Sequence, residues 1–319
     1  MRRPAARVLL AGLAGVGLLL TACSPTSGSL RGTAGDGMVN VVASTSVYGD
    51  IVSSIGGDKV RVSSIINRTS QDPHSYEATT QDKLAVSKAE LVVENGGGYD
   101  AFMDTLATDT GLDRGSVISA VDVSGLASES PAAASPDSAG HTHGSTGLNE
   151  HVWYSLPAMS RLADAVAEKL GSLEPASAQT FRSNAAAFKD SLGGLETKLA
   201  AIKSSAGHAP VAVTEPVPLY LLEDAGLENE TPAEYTAAIE EDADVPPAVL
   251  KTTVDLVASR GVRLLAYNTQ TEGPQTAAVK KAAENAGVPV VNFSETLPDG
   301  QSYLQWMTGN VESIGKALG

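Results

Sequence analysis

The apolar positions of this 319-residue chain follow two alternating periods. Short β-branched runs at residues 39–43, 60–66 and 91–93 read as strands. Between the first two, Val47, Ile51 and Ile55 fall one helical turn apart, and Gly56-Gly57 stops a helix over residues 44–55. Helices are expected at 77–89 and, after the Gly96-Gly97-Gly98 break, at 99–106. Residues 157–170 are helical again, and 176–204 form the longest helical stretch. Its Phe188, Leu192, Leu195, Leu199 and Ile202 make one apolar stripe. A helix of about 28 residues extends some 42 Å. The alternation then restarts, with strands at 211–214, 263–267 and 288–293. Helices are expected at 219–224, 247–258, 274–286 and 303–318. This pattern predicts an α/β protein: two similar lobes, each with a parallel sheet, joined by one long helix. The N-terminal lobe is placed at 39–174, the linking helix at 175–205 and the C-terminal lobe at 206–319.

Two segments fall outside that rhythm. The chain opens Met1-Arg2-Arg3, with Arg7 close behind, followed by an apolar run over 8–20 that ends Leu20-Thr21-Ala22-Cys23. This resembles a lipoprotein signal peptide over 1–22, with Cys23 lipidated as the first mature residue. An ordinary secretory signal cleaved near Ala22 is the alternative. Residues 23–38, rich in Ser, Gly and Thr, read as a flexible tether. No other segment is apolar for long enough to span a bilayer, so the body is expected to be soluble and held by lipid alone. Residues 127–147, rich in Ala, Ser, Pro and Gly and carrying His141 and His143, read as a mobile surface loop.

Charge narrows the function. Twenty-two basic residues stand against 37 acidic ones, a net of −15, which argues against a nucleic-acid partner and suits some attraction for cations. The single cysteine excludes an intrachain disulfide and any Cys-based zinc or iron–sulfur site.

In open α/β sheets, ligands bind beyond the carboxyl ends of the strands. Four segments with metal-capable side chains lie at such places: Asp72-Pro73-His74, Asn149-Glu150-His151-Val152-Trp153, Thr214-Glu215-Pro216 and Phe293-Ser294-Glu295-Thr296. Two imidazoles from the first half and two carboxylates from the second can complete a site for a borderline divalent ion in the cleft. Each residue also has a plainer reading. A lone His is commonly a surface or hydrogen-bonded residue, Glu215 could cap a helix, and Glu295 could be an exposed loop carboxylate. Asp72 and Glu150 could support the adjacent histidines, and Trp153 could wall the site or serve the core. Glu240-Glu241-Asp242 and Asp244 read as a solvated loop, with a cation-attracting patch as the alternative.

With these residues in view, the chain resembles the substrate-binding lipoproteins of zinc and manganese ABC importers. The resemblance runs from about Val39 to Leu318. It is carried by Thr45-Ser46-Val47-Tyr48-Gly49-Asp50-Ile51-Val52, Asp72-Pro73-His74-Ser75-Tyr76-Glu77, Asn149-Glu150-His151-Val152-Trp153, Val213-Thr214-Glu215 and Phe293-Ser294-Glu295. It implies two α/β lobes around one metal, held by His74, His151, Glu215 and Glu295. It implies no enzymatic activity and no organic cofactor. The expected cargo is Mn²⁺ or Zn²⁺, passed to a cognate ABC permease by a monomer that is extracytoplasmic and lipid-anchored to the cell membrane through Cys23. The third ligand of this family is His in many zinc binders and Glu in many manganese binders. Two carboxylates tilt the cargo slightly toward manganese or ferrous iron, although zinc has the higher raw affinity. Two departures stand out. The family's long His-rich loop is reduced to His141-Thr142-His143, a possible auxiliary metal loop. Tyr267-Asn268-Thr269-Gln270 stands where the family often has a Glu-Pro pair. Two other readings are a metal-dependent envelope hydrolase, hooked on His141 and His143, and a surface adhesin lipoprotein with a metal site.

Overall fold

The computed structural model describes residues 37–126 and 148–319. Cys23 with its leader and tether through Asp36, and the 127–147 segment with His141 and His143, lie outside the described residues. Among the described residues no helix is long and apolar enough to cross a membrane.

Strand β1 (Val39–Thr45) lies between β2 (Val60–Ile66) and β3 (Leu91–Glu94), and β4 (Val117–Ser119) pairs with β3. All three pairings are parallel. The second sheet repeats the plan. Strand β5 (Pro210–Val213) lies between β6 (Glu228–Asn229) and β7 (Leu265–Asn268), and β8 (Val290–Phe293) pairs with β7, again all parallel. Parallel neighbours need crossover connections, so helices separate the strands. They are α1 (Ser46–Gly56), α2 (Thr80–Val86), α3 (Phe102–Thr110) and α4 (Ala120–Ser124) in the first half. Next come α5 (Leu156–Leu173) and the long α6 (Ala178–Ala206). The second half carries α7 (Leu219–Asp224), α8 (Ala233–Glu240), α9 (Pro247–Ala258), α10 (Pro274–Ala286) and α11 (Tyr303–Leu318).

Helix α6 buries Phe181, Ala185, Phe188, Leu192, Leu195 and Leu199 along one face. It packs on α1 and α5 of the first lobe and on α7 and α11 of the second. Each large side chain in that stripe contributes roughly 1.5–3 kcal/mol by leaving water. The core it joins runs without a break from Val39 to Ile314, so one apolar body underlies both lobes. Gly207, in the left-handed region at φ 48°, ends α6 by donating its N–H to the Lys203 carbonyl.

The differences from the expected elements are local. The helix expected at 77–89 is only Thr80–Val86, because Thr79 and Asp82 form a reciprocal capping box that fixes its start. The helix expected at 99–106 begins at Phe102. Before it, the Asp100 carboxylate accepts the N–H groups of Asn95 (2.7 Å) and Gly96 (2.9 Å) and folds the glycine turn. Strands β4 and β6, of three and two residues, and helices α4 and α8 were not anticipated.

Candidate metal centre

The carboxyl ends of the two sheets meet, and each candidate side chain leaves one of these ends. Glu215 follows β5 by one turn residue, and Glu295 follows β8 in the same way. Asn268 is the last residue of β7, which lies between them. Adjacent strands are about 4.8 Å apart, so the middle strand is where the two carboxylates converge. There, the two Asn268 Nδ2 hydrogens go one to each acid. Asn268 donates to Glu215 Oε2, and to Glu295 Oε1 at 2.8 Å. Thr271 Oγ1 also donates to Glu215 Oε2, at 2.5 Å. Gln270 Oε1 accepts the N–H of Glu295 (2.7 Å) and of Thr296 (2.9 Å), fixing the loop after β8.

The histidines come from the first lobe. His151 precedes a short turn, Val152–Tyr154, and is 1% exposed. Its Nδ1 lies 2.7 Å from Asn149 Oδ1, while Asn149 Nδ2 donates to the Pro216 carbonyl at 2.8 Å. That second bond orients the Asn149 amide, so His151 Nδ1 carries the proton and Nε2 keeps a free lone pair. Asn95 Nδ2 holds the Glu150 carbonyl at 3.0 Å, and Tyr48 in turn donates to Asn95 Oδ1. Behind the imidazole stand Trp153, its ring centroid 5.1 Å away, and Tyr99 at 5.9 Å. Trp153 is therefore both wall and core. His74 sits on the loop after β2, where the Asp72 carboxylate accepts the His74 N–H at 3.0 Å and the Ser75 hydroxyl at 2.6 Å. Its side chain stays 33% exposed, which makes it the most open of the convergent groups.

His74 Nε2 lies 3.8 Å and His151 Nε2 3.9 Å from Glu295 Oε2. The ligand atoms of these three residues all fall within 4.8 Å of one another. A tetrahedral ion with bonds near 2.1 Å spaces its donors about 3.4 Å apart, so each histidine stands about half an ångström too far from Glu295 Oε2 to share one without a small adjustment. Glu295 Oε2 is buried and makes no hydrogen bond, an arrangement that is costly unless something fills the position. Glu215 is tied to Glu295 through the shared Asn268 amide. Three of the four candidates, His74, His151 and Glu295, therefore converge, and Glu215 stands beside them without joining the trio of ligand atoms.

Glu150 takes a place different from the one its position suggested. Its Oε1 lies 3.4 Å from His74 Nδ1, so it accompanies the distant histidine, and Asn149 takes the supporting role beside His151. Glu240, at the end of α8, leaves the acidic run and comes within 4.8 Å of ligand atoms of Glu150 and His151. The solvated-loop reading of that residue is corrected: α8 folds it against the cleft.

Burial sets the protonation states. Desolvation pushes His151 down to about 3, helped by His74, and also lowers His74, against which the Asp72 charge acts. Both imidazoles are neutral at pH 7, the form that binds metal. Desolvation lifts Glu295 to about 8, with the Glu215 charge adding to it. Glu215 is also raised by burial, against the bonds from Thr271 and Asn268. Two raised acids facing two neutral imidazoles make a site that gains most from a cation.

Comparison with known proteins bears on this geometry. The family model described as zinc-uptake complex component A, periplasmic, matches residues 41–317. The chain belongs to that family. Among relatives of this family member, the metal ABC transporter substrate-binding lipoprotein ScbA of Streptococcus cristatus is 25% identical over 94% of both chains. The manganese ABC transporter substrate-binding lipoprotein PsaA of Streptococcus pneumoniae (strain R6) is 24% identical, over 94% of this chain and 95% of its own. The fold is that of the periplasmic zinc binding protein TroA from Treponema pallidum, at a TM-score of 0.69 and 20% identity, with 88% of this chain and 99% of that one covered. The family member described here is a metal-binding substrate-binding protein of ABC transporters, not an enzyme, and the hydrolase reading falls away.

Asn149 and Thr271 were not picked out from the residues as parts of the site, and Gln270 was noticed only within the same departure from the family as Asn268. The available signal was position alone, since all follow strand ends or adjoin a candidate ligand. Short amides and hydroxyls carry no pattern that separates them from ordinary loop residues.

Proposed function

We propose that this protein captures one divalent transition-metal ion, Mn²⁺ or Zn²⁺, outside the cytoplasm and hands it to a membrane permease. His74, His151, Glu215 and Glu295 are the ligands, His74 at the open side and the other three deep in the cleft. The observation that carries the reading is the buried, unpartnered Glu295 Oε2 facing two neutral imidazole nitrogens from the opposite lobe. Metal binding then pulls on both lobes at once, which gives a permease a difference between loaded and empty forms to read. The names of ScbA and PsaA support transport and lipid anchoring, and Cys23 is the residue placed to carry the lipid. Each chain supplies all four ligands, so a monomer suffices.

The test combines elemental analysis of protein from its own host with Mn²⁺ and Zn²⁺ titrations of the wild type and of His74→Ala and His151→Ala. One ion per chain is expected, with affinity falling by more than about 100-fold in either variant, since even supporting groups carry 10–100-fold. Affinity indifferent to both substitutions removes the assignment.

A further inference from the structure

We propose that Asn268 restricts Glu215 and Glu295 to one donor oxygen each, so that the site offers two nitrogens and two oxygens and favours a four-coordinate ion of the zinc type over manganese. The inference rests on the capture reading above and sharpens its cargo.

Hydrogen counts at the two carboxylates decide the donor number. A carboxylate can grip a metal with both oxygens, and two carboxylates doing so would raise the donor number from four to six. Manganese suits that larger, oxygen-rich shell, whereas zinc takes four ligands. Here one oxygen of each acid is already engaged. Glu215 Oε2 accepts from both Asn268 Nδ2 and Thr271 Oγ1, which uses its two lone pairs. Glu295 Oε1 accepts from Asn268, while its Oε2 faces the imidazoles. The Asn268 amide cannot turn away cheaply. It is 2% exposed, its Oδ1 accepts the Gln270 N–H at 3.1 Å, and its own backbone N–H donates to Thr214 Oγ1 at 2.9 Å. The strand order explains why one residue can serve both acids, because β7 lies between β5 and β8. An acidic residue at 268 would have no N–H to offer and would add a third charge. The amide is therefore a positioning residue whose effect falls on coordination number.

The experiment uses the purified full chain, with Co²⁺ as a spectroscopic probe and Zn²⁺/Mn²⁺ competition as the readout of preference. In the wild type, strong tetrahedral Co²⁺ ligand-field bands are expected. In Asn268→Ala these bands weaken, and the Zn²⁺-over-Mn²⁺ affinity ratio falls by about tenfold or more, the scale on which supporting groups act. Thr271→Val, which frees only Glu215, gives a smaller fall in the same direction. It also serves as the second variant should Asn268→Ala fail to fold. General destabilisation weakens both ions alike and leaves the ratio unmoved, so the ratio separates this role from a merely structural one. Weak, six-coordinate-type Co²⁺ bands in the wild type, or an unchanged ratio in folded variants, overturn the inference while metal capture stands. A wild type that takes up none of the three ions overturns both.

Discussion

Replacing Glu295 by glutamine should stabilise the metal-free protein at pH 8 while abolishing its stabilisation by metal. The folded carboxyl is raised to about 8 from an ordinary value of 4.5. Its contribution to stability is therefore fully present below pH 4.5, where both states hold the proton, and is lost as pH rises toward 8. At 1.36 kcal/mol per pH unit, the loss across that window is on the order of 5 kcal/mol. For a domain of this size, 1 kcal/mol moves the melting temperature by roughly 2–4 °C, so the effect amounts to about 10–20 °C. His151 works in the opposite direction. Its folded value is depressed to about 3, so its contribution is present above about pH 6.5 and is lost as pH falls toward 3. Glu295→Gln leaves that slope in place, and subtracting the two melting curves isolates Glu295. The assay is thermal unfolding of both proteins in chelator from pH 5 to pH 8, repeated with Zn²⁺. Melting temperatures that fall in parallel, with no gap opening toward pH 8, refute the reasoning.

Metal binding at pH 7 should release roughly one proton from Glu295, with more from Glu150 and Glu240, each raised to about 7 by burial and neighbouring acids. Calorimetry in buffers of different ionisation enthalpy reads this directly, and a buffer-independent heat counts against it. Tyr154→Phe removes the hydroxyl that donates to the Ser294 carbonyl at 2.7 Å, beside Glu295. Denaturant unfolding should show a loss of about 1–2 kcal/mol, with metal affinity lower by a few-fold. Gln270→Leu strips the acceptor from the Glu295 and Thr296 N–H groups, and the donor from the Thr69 carbonyl (2.9 Å) on the loop that leads to His74. Stopped-flow chelator competition should show faster metal release, and an unchanged rate would mean the link is idle.

The fold was legible wherever a long element repeats a period. The α6 stripe, the β1–α1–β2 opening and the Gly-terminated helices of the second half need only apolar spacing and stop signals to be read. Short elements escaped. β6 has two residues and α8 eight, and neither length lets periodicity rise above composition. That gap had a chemical consequence, since an unread α8 left Glu240 in solvent when it faces the cleft. The candidate ligands were legible as metal-capable side chains at strand ends. What brings them together was not, because Asn268, Gln270 and Asn149 act through amide geometry that depends on which strands are neighbours. The order β5-β7-β8, set by tertiary pairing, gives Asn268 its place between two acids.

Capture requires one ion between the lobes, held by His74, His151, Glu215 and Glu295. A crystal structure of the protein loaded with Zn²⁺ or Mn²⁺, with data collected at that metal's absorption edge, tests it most directly. A single strong anomalous peak is expected within bonding distance of His74 Nε2, His151 Nε2, Glu295 Oε2 and a Glu215 oxygen. A peak elsewhere, or one at this cleft that leaves either histidine unbound, contradicts it.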